Sequence, residues 1–417
     1  MVIPIRPVGS AAIAPASPTR KTAFSAVSAH TQPGAITLAS LPPLSLYVHF
    51  PWCVKKCPYC DFNSHATREN EAIPETRYIN ALIRDLELSL PLIWGRRIHT
   101  VFFGGGTPSL LSANGFERLM SEVRARLGLE ADAEITLEAN PGTFEAAKFE
   151  AFRRSGVNRL SIGIQSFNGV HLQALGRIHD RQEAVNAIRI AQGLFDNFNL
   201  DLMYALPGQT MAQLQTELDT ALSFNPPHLS YYHLTLEPNT VFAKYPPVLP
   251  DDDAAADMQA RIETRLGGAG FEHYETSAYA SAGRRGKHNI NYWRFGDYLG
   301  IGAGAHGKLS FAQRIVRTAK LRNPDAYMAG CEAGAPLAEE REVEAKELPF
   351  EFMMNTLRLT EGFEVRQFTE RTGLSINTAD KALTEAERKG LITRDHLRIA
   401  PTVRGRLFLN ELLQLFL

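Results

Sequence analysis

Short β-rich runs and longer segments of helical periodicity alternate along residues 44–236. The strand-like runs are LSLYVHF, HTVFFGGG, EITLEAN, RLSIGIQ, FNLDLMYAL and HLSYYHLTL, and the helical segments between them cover residues 75–90, 114–127, 144–155, 181–194 and 210–224. Parallel strands need a crossover connection, and a helix is the usual one. The alternation therefore predicts an α/β fold with a parallel sheet that closes fully or partly into a (β/α) barrel.

Composition excludes several classes of function. The 44 Lys and Arg residues nearly balance the 45 Asp and Glu residues, so no global positive field would attract nucleic acid. The sequence contains no run of about 18 apolar residues, which predicts that no segment spans a membrane. Three of the four cysteines lie within eight residues. This usage is typical of a reducing compartment and predicts a metal site rather than a disulfide framework.

The two ends of the chain differ from its centre. Residues 1–41 are rich in Ala, Ser, Pro and Thr, lack acidic residues and predict a flexible extension. An organelle transit peptide is the alternative, although four prolines within residues 4–18 would interrupt an amphipathic helix. Residues 346–417 combine helical segments with the hairpin-like run KGLITRDHLRIAPT and predict a small winged-helix-like domain. We expect packing or partner docking from it, because DNA binding needs the support of a basic face.

Cys53, Cys57 and Cys60 are spaced as CxxxCxxC directly after the first predicted strand. Barrel active sites gather in the loops at the carboxyl ends of strands. Three thiolates would hold a cubane iron–sulfur cluster and leave one iron open to a substrate. The alternative is a zinc site in which His65 supplies the fourth ligand. The fourth cysteine, Cys331, has no motif around it and is expected to be a buried small apolar residue.

Glycines and polar residues mark the next strands. The run FGGGTP at residues 103–108 ends the second strand, where glycine lets backbone amides approach a ligand closely. Glu138, Gln165 and Asp201 belong to the three strands that follow. Buried polar groups need partners, and ribose hydroxyls or an amino-acid head group would suit these side chains. Helix capping or loop polarity would explain each residue alone, but together they favour a ligand site.

The CxxxCxxC spacing resembles the signature of the radical S-adenosylmethionine (SAM) superfamily, whose members bind the amino and carboxylate groups of SAM at the open iron. From about Leu46 to beyond Gly307 the chain resembles the oxygen-independent coproporphyrinogen dehydrogenase group of that superfamily. The resemblance implies a partial (β/α)6 TIM-type barrel, one [4Fe–4S] cluster on the three cysteines, and bound SAM. The residues that it implies for SAM binding are Tyr47, Gly105, Gly106, Thr107, Glu138, Gln165, Arg177 and Asp201. For Arg177, a solvated helix cation is the alternative.

Two features separate this chain from the dehydrogenases of that group. Those enzymes carry a fourth cysteine two residues after the third, where this chain has Phe62, and an amino-terminal Pro-Arg-Tyr-Thr-Ser-Tyr-Pro-like segment in place of the Ala/Ser/Pro-rich extension. The CxxxCxxCxF form resembles the HemW-type heme chaperones instead. The run HNINYW at residues 288–293 is similar to the HNxxYW motif associated with heme binding in that family. The residues that this resemblance implies for heme binding are His288, Asn289, Tyr292 and Trp293.

The chemistry of the HNINYW run agrees with heme binding. Imidazole is a common axial ligand of heme iron, and aromatic rings provide an apolar wall for the macrocycle. A loop histidine beside core aromatic residues is the alternative. The run GIGAGAHG at residues 300–307 resembles the closing glycine-rich segment of the group, and we expect its backbone to approach a ligand closely. His306 within that run is not assigned as a ligand.

Four regions follow from these patterns: a flexible extension (1–41), a radical SAM domain (42–310), a linker (311–345) and a winged-helix-like domain (346–417). The predicted function is a heme chaperone that carries the cluster and SAM and passes heme to acceptor proteins. The alternative is oxidative decarboxylation of coproporphyrinogen III in heme biosynthesis, so the chain's status as an enzyme stays open. The expected location is the cytoplasm, and the expected state is a monomer or a cluster-dependent homodimer.

Overall fold

The computed structural model describes residue 30 and residues 34–67, 72–93, 95–143 and 145–417. The strands are Leu44–Phe50 (β1), Trp52–Cys53 (β2), His65–Ala66 (β3), Ile98–Gly105 (β4), Leu129–Ala139 (β5), Arg159–Gln165 (β6), Phe198–Tyr204 (β7), His228–His233 (β8), Glu272–Glu275 (β9), Ala278–Ala280 (β10), Asp297–Ile301 (β11), His306–Phe311 (β12), Arg314–Lys320 (β13), Leu337–Glu342 (β14), Phe363–Glu364 (β15), Ile392–Arg394 (β16) and Arg398–Pro401 (β17). The α-helices are Glu75–Ile93 (α1), Ala113–Arg126 (α2), Ala146–Arg154 (α3), Gly169–Ala174 (α4), Arg181–Leu194 (α5), Met211–Ser223 (α6), Val241–Lys244 (α7), Asp252–Gly268 (α8), Lys287–Trp293 (α9), Pro324–Glu332 (α10), Leu348–Thr356 (α11), Val365–Thr372 (α12), Asp380–Arg388 (α13), Val403–Leu407 (α14) and Leu409–Gln414 (α15).

A twelve-stranded sheet forms the centre of the molecule, in the order β14-β13-β12-β11-β1-β4-β5-β6-β7-β8-β10-β9. The strands from β1 through β4, β5, β6 and β7 to β8 pair in parallel, and β11 adds to the free side of β1, also in parallel. Antiparallel strands extend both edges. The parallel (β/α) arrangement predicted from the alternation of strands and helices is confirmed.

Each parallel strand turns one apolar face toward the helices. In β1, Leu46 and Val48 are buried in the same core as Leu82 of α1. Side chains alternate along a strand, so the residues between them face the other way. These residues, which include Tyr47 and His49, line the interior of the barrel. The outer face of the sheet therefore carries the hydrophobic core, and the inner face is left for polar side chains.

Residues 311–345, for which the sequence predicts a linker, instead form β13, α10 and β14. The strands β13 and β14 extend the twelve-stranded sheet. All six residues of β14 are exposed, and its sequence LAEERE has no apolar alternation. The strand forms because its backbone pairs with β13, and no local periodicity indicates such pairing. Charged side chains on an edge strand also discourage pairing with other chains.

The C-terminal domain comprises α11–α15 and a small sheet with the order β15-β17-β16. The helices α12 and α13 and the β16–β17 hairpin are the parts of the predicted winged-helix-like module. Phe352 and Phe368 lie in its core, which also buries Ile36 and Leu38 from the amino-terminal part of the chain. Of the predicted extension, residue 30 and residues 34–41 are described, and the rest lies outside the described residues.

A buried ion pair connects the barrel to the edge strands. Lys320 on β13 donates to Asp85 Oδ1 on α1 at 2.5 Å, and the Tyr327 hydroxyl on α10 donates to Asp85 Oδ2 at 2.7 Å. The side chains of Asp85 and Lys320 are 0% and 5% exposed. The backbone N–H of Gly302 donates to the same tyrosine oxygen at 3.0 Å. The ion pair therefore fixes Tyr327, and the Tyr327 hydroxyl in turn holds the backbone of Gly302 in the glycine-rich run 300–307.

We expect Lys320→Met to lower the free energy of unfolding by about 3–5 kcal/mol, because it leaves the Asp85 carboxylate buried without its cation. Urea denaturation would measure the change. The matched control is Lys346→Met, which removes an exposed lysine paired with Glu344 and should leave the unfolding free energy unchanged. Equal stability of the two variants would contradict the assigned role of the buried pair.

Candidate functional site

The three-cysteine loop begins where β1 ends. Cys53 closes the short strand β2, which pairs in parallel with β3, so the loop between them carries Cys57 and Cys60 and returns to the barrel rim. All three thiols are free and half-buried. Burial raises the pKa of the Cys53 thiol, and the negative charges of Cys60 and Cys57 raise it further. The three sulfurs therefore lie close enough to repel one another as thiolates, and a bound cation would relieve that repulsion.

The donor set fits an iron–sulfur cluster better than a single ion. In the described parts of the chain, no three His, Cys, Asp or Glu side chains converge closely enough to hold one metal ion. Arg177 donates from Nη1 to Cys57 Sγ at 3.7 Å, and Cys60 Sγ lies 3.7 Å from Ser64 Oγ. Hydrogen bonds and a positive charge at the sulfurs suit an anionic cluster.

One half-buried residue from each of six parallel strands faces the barrel interior. The members of this inner ring are Tyr47, Phe102, Glu138, Gly163, Asp201 and Tyr232. A Cβ added to Gly104 would lie 2.8 Å from the Phe102 ring, 3.1 Å from Tyr47 and 3.2 Å from Glu138 Oε2. The absent side chain at Gly104 therefore keeps the interior open between the ring members.

Two carboxyl groups meet inside this ring. Burial and the neighbouring Asp201 raise the pKa of Glu138 to about 8, and burial also raises the pKa of Asp201. Gly105 N–H donates to Glu138 Oε2 at 3.1 Å, while Ser161 and Asn199 donate to the two oxygens of Asp201 at 2.7 and 2.8 Å. Such a pair would be stabilised by a cationic ligand.

Polar atoms without partners also lie in the interior. Arg177 donates from Nη2 to Gly163 O at 2.6 Å, but its Nε is buried without a partner among the described residues. The same holds for Thr136 Oγ1. Gln165 adopts a left-handed backbone with φ 64°, and its amide nitrogen would lie 3.0 Å from a Cβ on Gly163. Buried polar atoms of this kind indicate a site for a polar ligand.

The glycine motif at the end of β4 packs against the cysteine loop. A Cβ on Gly106 would lie 2.5 Å from Trp52 O, and one on Gly105 would lie 2.6 Å from the His49 ring. Gly106 N–H donates to Phe50 O at 2.7 Å, and Thr107 N–H donates to Trp52 O at 2.8 Å. The glycines therefore permit contact with the protein's own backbone at the cluster loop.

The run 300–307 makes the same kind of contact, whereas the sequence suggested an approach to a ligand. A Cβ on Gly302 would lie 2.3 Å from His49 O, and one on Gly304 would lie 2.4 Å from Asn63 Nδ2. Asn63 donates from Nδ2 to Ala303 O and to Arg322 O, both at 2.9 Å. Asn63 therefore anchors the cysteine loop to this run. Sequence reasoning missed Asn63, because nothing local distinguishes it from an ordinary loop asparagine.

The HNINYW run forms α9 at the amino-terminal end of the barrel. Glu134 on β5 accepts from the backbone N–H groups of Lys287 and His288, at 3.1 and 3.0 Å. The His288 ring lies 4.9 Å from the Phe102 ring, and its Nδ1 is 2.8 Å from Thr100 Oγ1. Thr100 precedes Gly105 by five residues on β4, which at about 3.3 Å per residue separates His288 from the cluster rim by roughly 16 Å.

The aromatic residues of α9 face a different neighbour. Trp293 is buried, and the Arg358 guanidinium lies 4.4 Å from its ring centroid, at the contact with the C-terminal domain. Tyr292 packs between Trp293 and Tyr298, with ring centroids 4.9 and 5.1 Å away. The structure therefore brings His288 to the inner ring through Phe102 but places Trp293 against the other domain.

Comparison with known proteins identifies the family of this chain. Residues 47–221 match the family model described as the radical SAM superfamily, and residues 343–408 match the HemN C-terminal domain. The chain is 51% identical to the heme chaperone HemW of Escherichia coli (strain K12), over 91% of this chain and 100% of that protein. It is 34% identical to the heme chaperone HemW of Bacillus subtilis (strain 168), over 89% and 99%. The chain belongs to the HemW family of the radical SAM superfamily.

A solved structure shares the fold of this HemW-family chain. The coproporphyrinogen III oxidase (HemN) of Escherichia coli superposes with a TM-score of 0.78 over 94% of this chain and 93% of that one, at 24% identity. Membership of the superfamily implies a [4Fe–4S] cluster and SAM as cofactors. Among the described residues of this HemW-family chain, no helix is long and apolar enough to cross a membrane.

Gly304→Ala should weaken the cysteine loop of this HemW-family protein, because the new Cβ would push Asn63 away. Gly334→Ala is the matched control: both glycines have φ 77°, but a Cβ at Gly334 meets no atom within 4 Å. Each change should cost about 1–2 kcal/mol of backbone strain. Only Gly304→Ala should also reduce the iron and sulfide retained after anaerobic reconstitution. Equal iron retention in the two variants would refute the anchoring role of Asn63.

Glu138 should make the stability of the cluster-free protein depend on pH. Its folded pKa of about 8 lies above the ordinary value of 4.5, so the native state binds this proton more tightly. The stabilisation is present below about pH 4.5 and is lost as the pH rises through 8. Wild type should therefore lose stability relative to Glu138→Gln across that range in urea denaturation. Parallel pH profiles for the two proteins would disprove the shift.

Proposed function

We propose that this protein is a heme chaperone that binds heme through His288 and passes it to acceptor proteins. The observation that carries the proposal is the position of the His288 ring in the barrel interior, 4.9 Å from the Phe102 ring and with its Nδ1 2.8 Å from Thr100 Oγ1. Burial lowers the pKa of the His288 imidazole to about 3, and the positive charges of Arg159 and His99 act in the same direction. The ring is therefore neutral at physiological pH, and a neutral imidazole is the form that binds heme iron.

Cys53, Cys57 and Cys60 would hold a [4Fe–4S] cluster with one open iron. When bound and reduced, such a cluster supplies an electron to the sulfonium of SAM. The inner ring supports SAM as the ligand beside it, since the carboxyl groups of Glu138 and Asp201 suit its positive charges. The unpaired Nε of Arg177 suits a carboxylate. Tyr47, Gly105, Gly106, Thr107 and Gln165 complete the proposed SAM site around them.

Heme delivery is favoured over porphyrinogen oxidation by the identity of residue 62. The dehydrogenases resembled by this chain place a cysteine there, whereas Phe62 is 50% exposed beside the cysteine loop. The relatives named heme chaperone match nearly their whole length. The cluster and SAM would then serve heme release or acceptor recognition. Asn289, Tyr292 and Trp293 complete the proposed heme site on α9, and the Trp293 ring also contacts the Arg358 guanidinium of the C-terminal domain.

Anaerobic heme titration tests the proposal. Wild type should bind heme together with about four irons and four sulfides per chain, and His288→Ala should weaken heme binding by roughly tenfold or more while keeping the cluster. The matched control is His396→Ala, which removes an exposed histidine in the C-terminal domain and should bind heme like wild type.

Two results would overturn the proposal. One is heme binding by His288→Ala with wild-type affinity, which would remove His288 as the ligand. The other is anaerobic turnover of coproporphyrinogen III with SAM and a reductant by a protein that binds no heme. The second result would favour the dehydrogenase alternative.

A further inference from the structure

We propose that Thr100 and Ser45 are positioning residues for the heme ligand. They hold the His288 ring in the tautomer that carries its proton on Nδ1, which leaves the lone pair of Nε2 for iron. The inference rests on the proposed heme site at His288. It adds two residues, from β1 and β4, that no motif in the sequence identifies.

The hydrogen-bond chain determines where the imidazole proton lies. Thr100 has one hydroxyl proton and donates it to Ser45 Oγ at 2.7 Å. Its oxygen can therefore only accept from His288 Nδ1, which lies 2.8 Å away. Ser45 Oγ also accepts from Asn291 Nδ2 at 2.8 Å. In a neutral imidazole only one nitrogen bears a proton, so Nε2 is the free acceptor.

The surroundings protect this arrangement from water. Ser45 is 1% exposed, Thr100 is 0% exposed and Asn291 is 7% exposed. Water therefore cannot reach the Thr100 and Ser45 hydroxyls to reverse the direction of the hydrogen bond between them. Asn291 lies three residues after His288 on the same face of α9, so one helix turn supplies both ends of the network.

Backbone contacts fix the ring position as well. The His288 N–H is held by Glu134 Oε1 at 3.0 Å, and the ring packs at 32° to the Phe102 ring. Histidines that bind metals commonly donate their other ring N–H to an oxygen, and that donation sets the tautomer and the ring orientation. Thr100 Oγ1, 2.8 Å from His288 Nδ1, is in the position of such an oxygen.

Substitutions at Thr100 separate this role from simple packing. Thr100→Val keeps the shape but removes the acceptor, and it should weaken heme binding by roughly ten- to hundredfold. Thr100→Ser keeps the hydroxyl and should bind heme close to wild type. Thermal unfolding of each variant reports whether the fold is intact. Wild-type heme affinity in folded Thr100→Val would overturn the inference.

Ser45→Ala provides a second test that leaves Thr100 in place. Without its acceptor, the Thr100 hydroxyl is free to donate to His288 Nδ1, which would move the imidazole proton to Nε2 and weaken heme binding. Nitrogen-15 NMR of histidine-labelled, heme-free protein measures the tautomer directly, with the His288 signals assigned from His288→Gln. We expect Nδ1–H in wild type and Nε2–H in Ser45→Ala.

The outcomes distinguish the inference from the proposed function. Nε2–H in heme-free wild type would refute the inference, whatever the heme affinity is. Wild-type heme binding by His288→Ala would refute the proposed heme site but leave the tautomer measurement valid. If Thr100→Val unfolds, the Ser45→Ala tautomer and the Thr100→Ser affinity still decide the question.

Discussion

Parallel pairing of seven neighbouring strands of the sheet, from β11 and β1 to β8, is the constraint on which the rest of the molecule depends. It directs the carboxyl ends of β1, β4, β5, β6 and β7 to one rim and leaves their inner faces around a common interior. The cysteine loop, the glycine motif and Glu138 meet at this rim because each follows or ends a different parallel strand, and the side chain of Asp201, in the middle of β7, lies near Glu138. Cys53 and Asp201, 148 positions apart along the chain, thereby serve one site.

The cysteine loop has little regular structure, so it depends on contacts from both sides. Gly106 and Thr107 hold it from the β4 side through backbone hydrogen bonds. Asn63 holds it from the other side, where Gly302 and Gly304 leave room for His49 and Asn63. A loop held in this way keeps its three thiols in place before a cluster binds, which reduces the entropy lost on binding.

Polar side chains lie toward both ends of the barrel interior. Near the rim are the carboxyl groups of Glu138 and Asp201, whose mutual repulsion favours a cationic ligand. At the opposite end, Glu134 and Thr100 hold α9 and the neutral ring of His288. The Phe102 ring contacts both ends, since it packs on His288 and on Tyr47. The Phe102 ring therefore lies between the two ends of the interior and packs against a residue from each.

Local sequence determined the parallel strands, the cysteine spacing and the polar residues at the inner ring, because strand alternation and motif spacing are short-range properties of the chain. Tertiary structure alone decided that residues 311–345 join the sheet, since the exposed strand β14 is specified by backbone pairing rather than by an apolar pattern. It also decided that the run 300–307 contacts Asn63, and that His288 and Trp293 face different neighbours. Those outcomes depend on contacts between groups that are distant along the chain. Thr100 and His288, for example, form their hydrogen bond only when β4 and α9 have packed together.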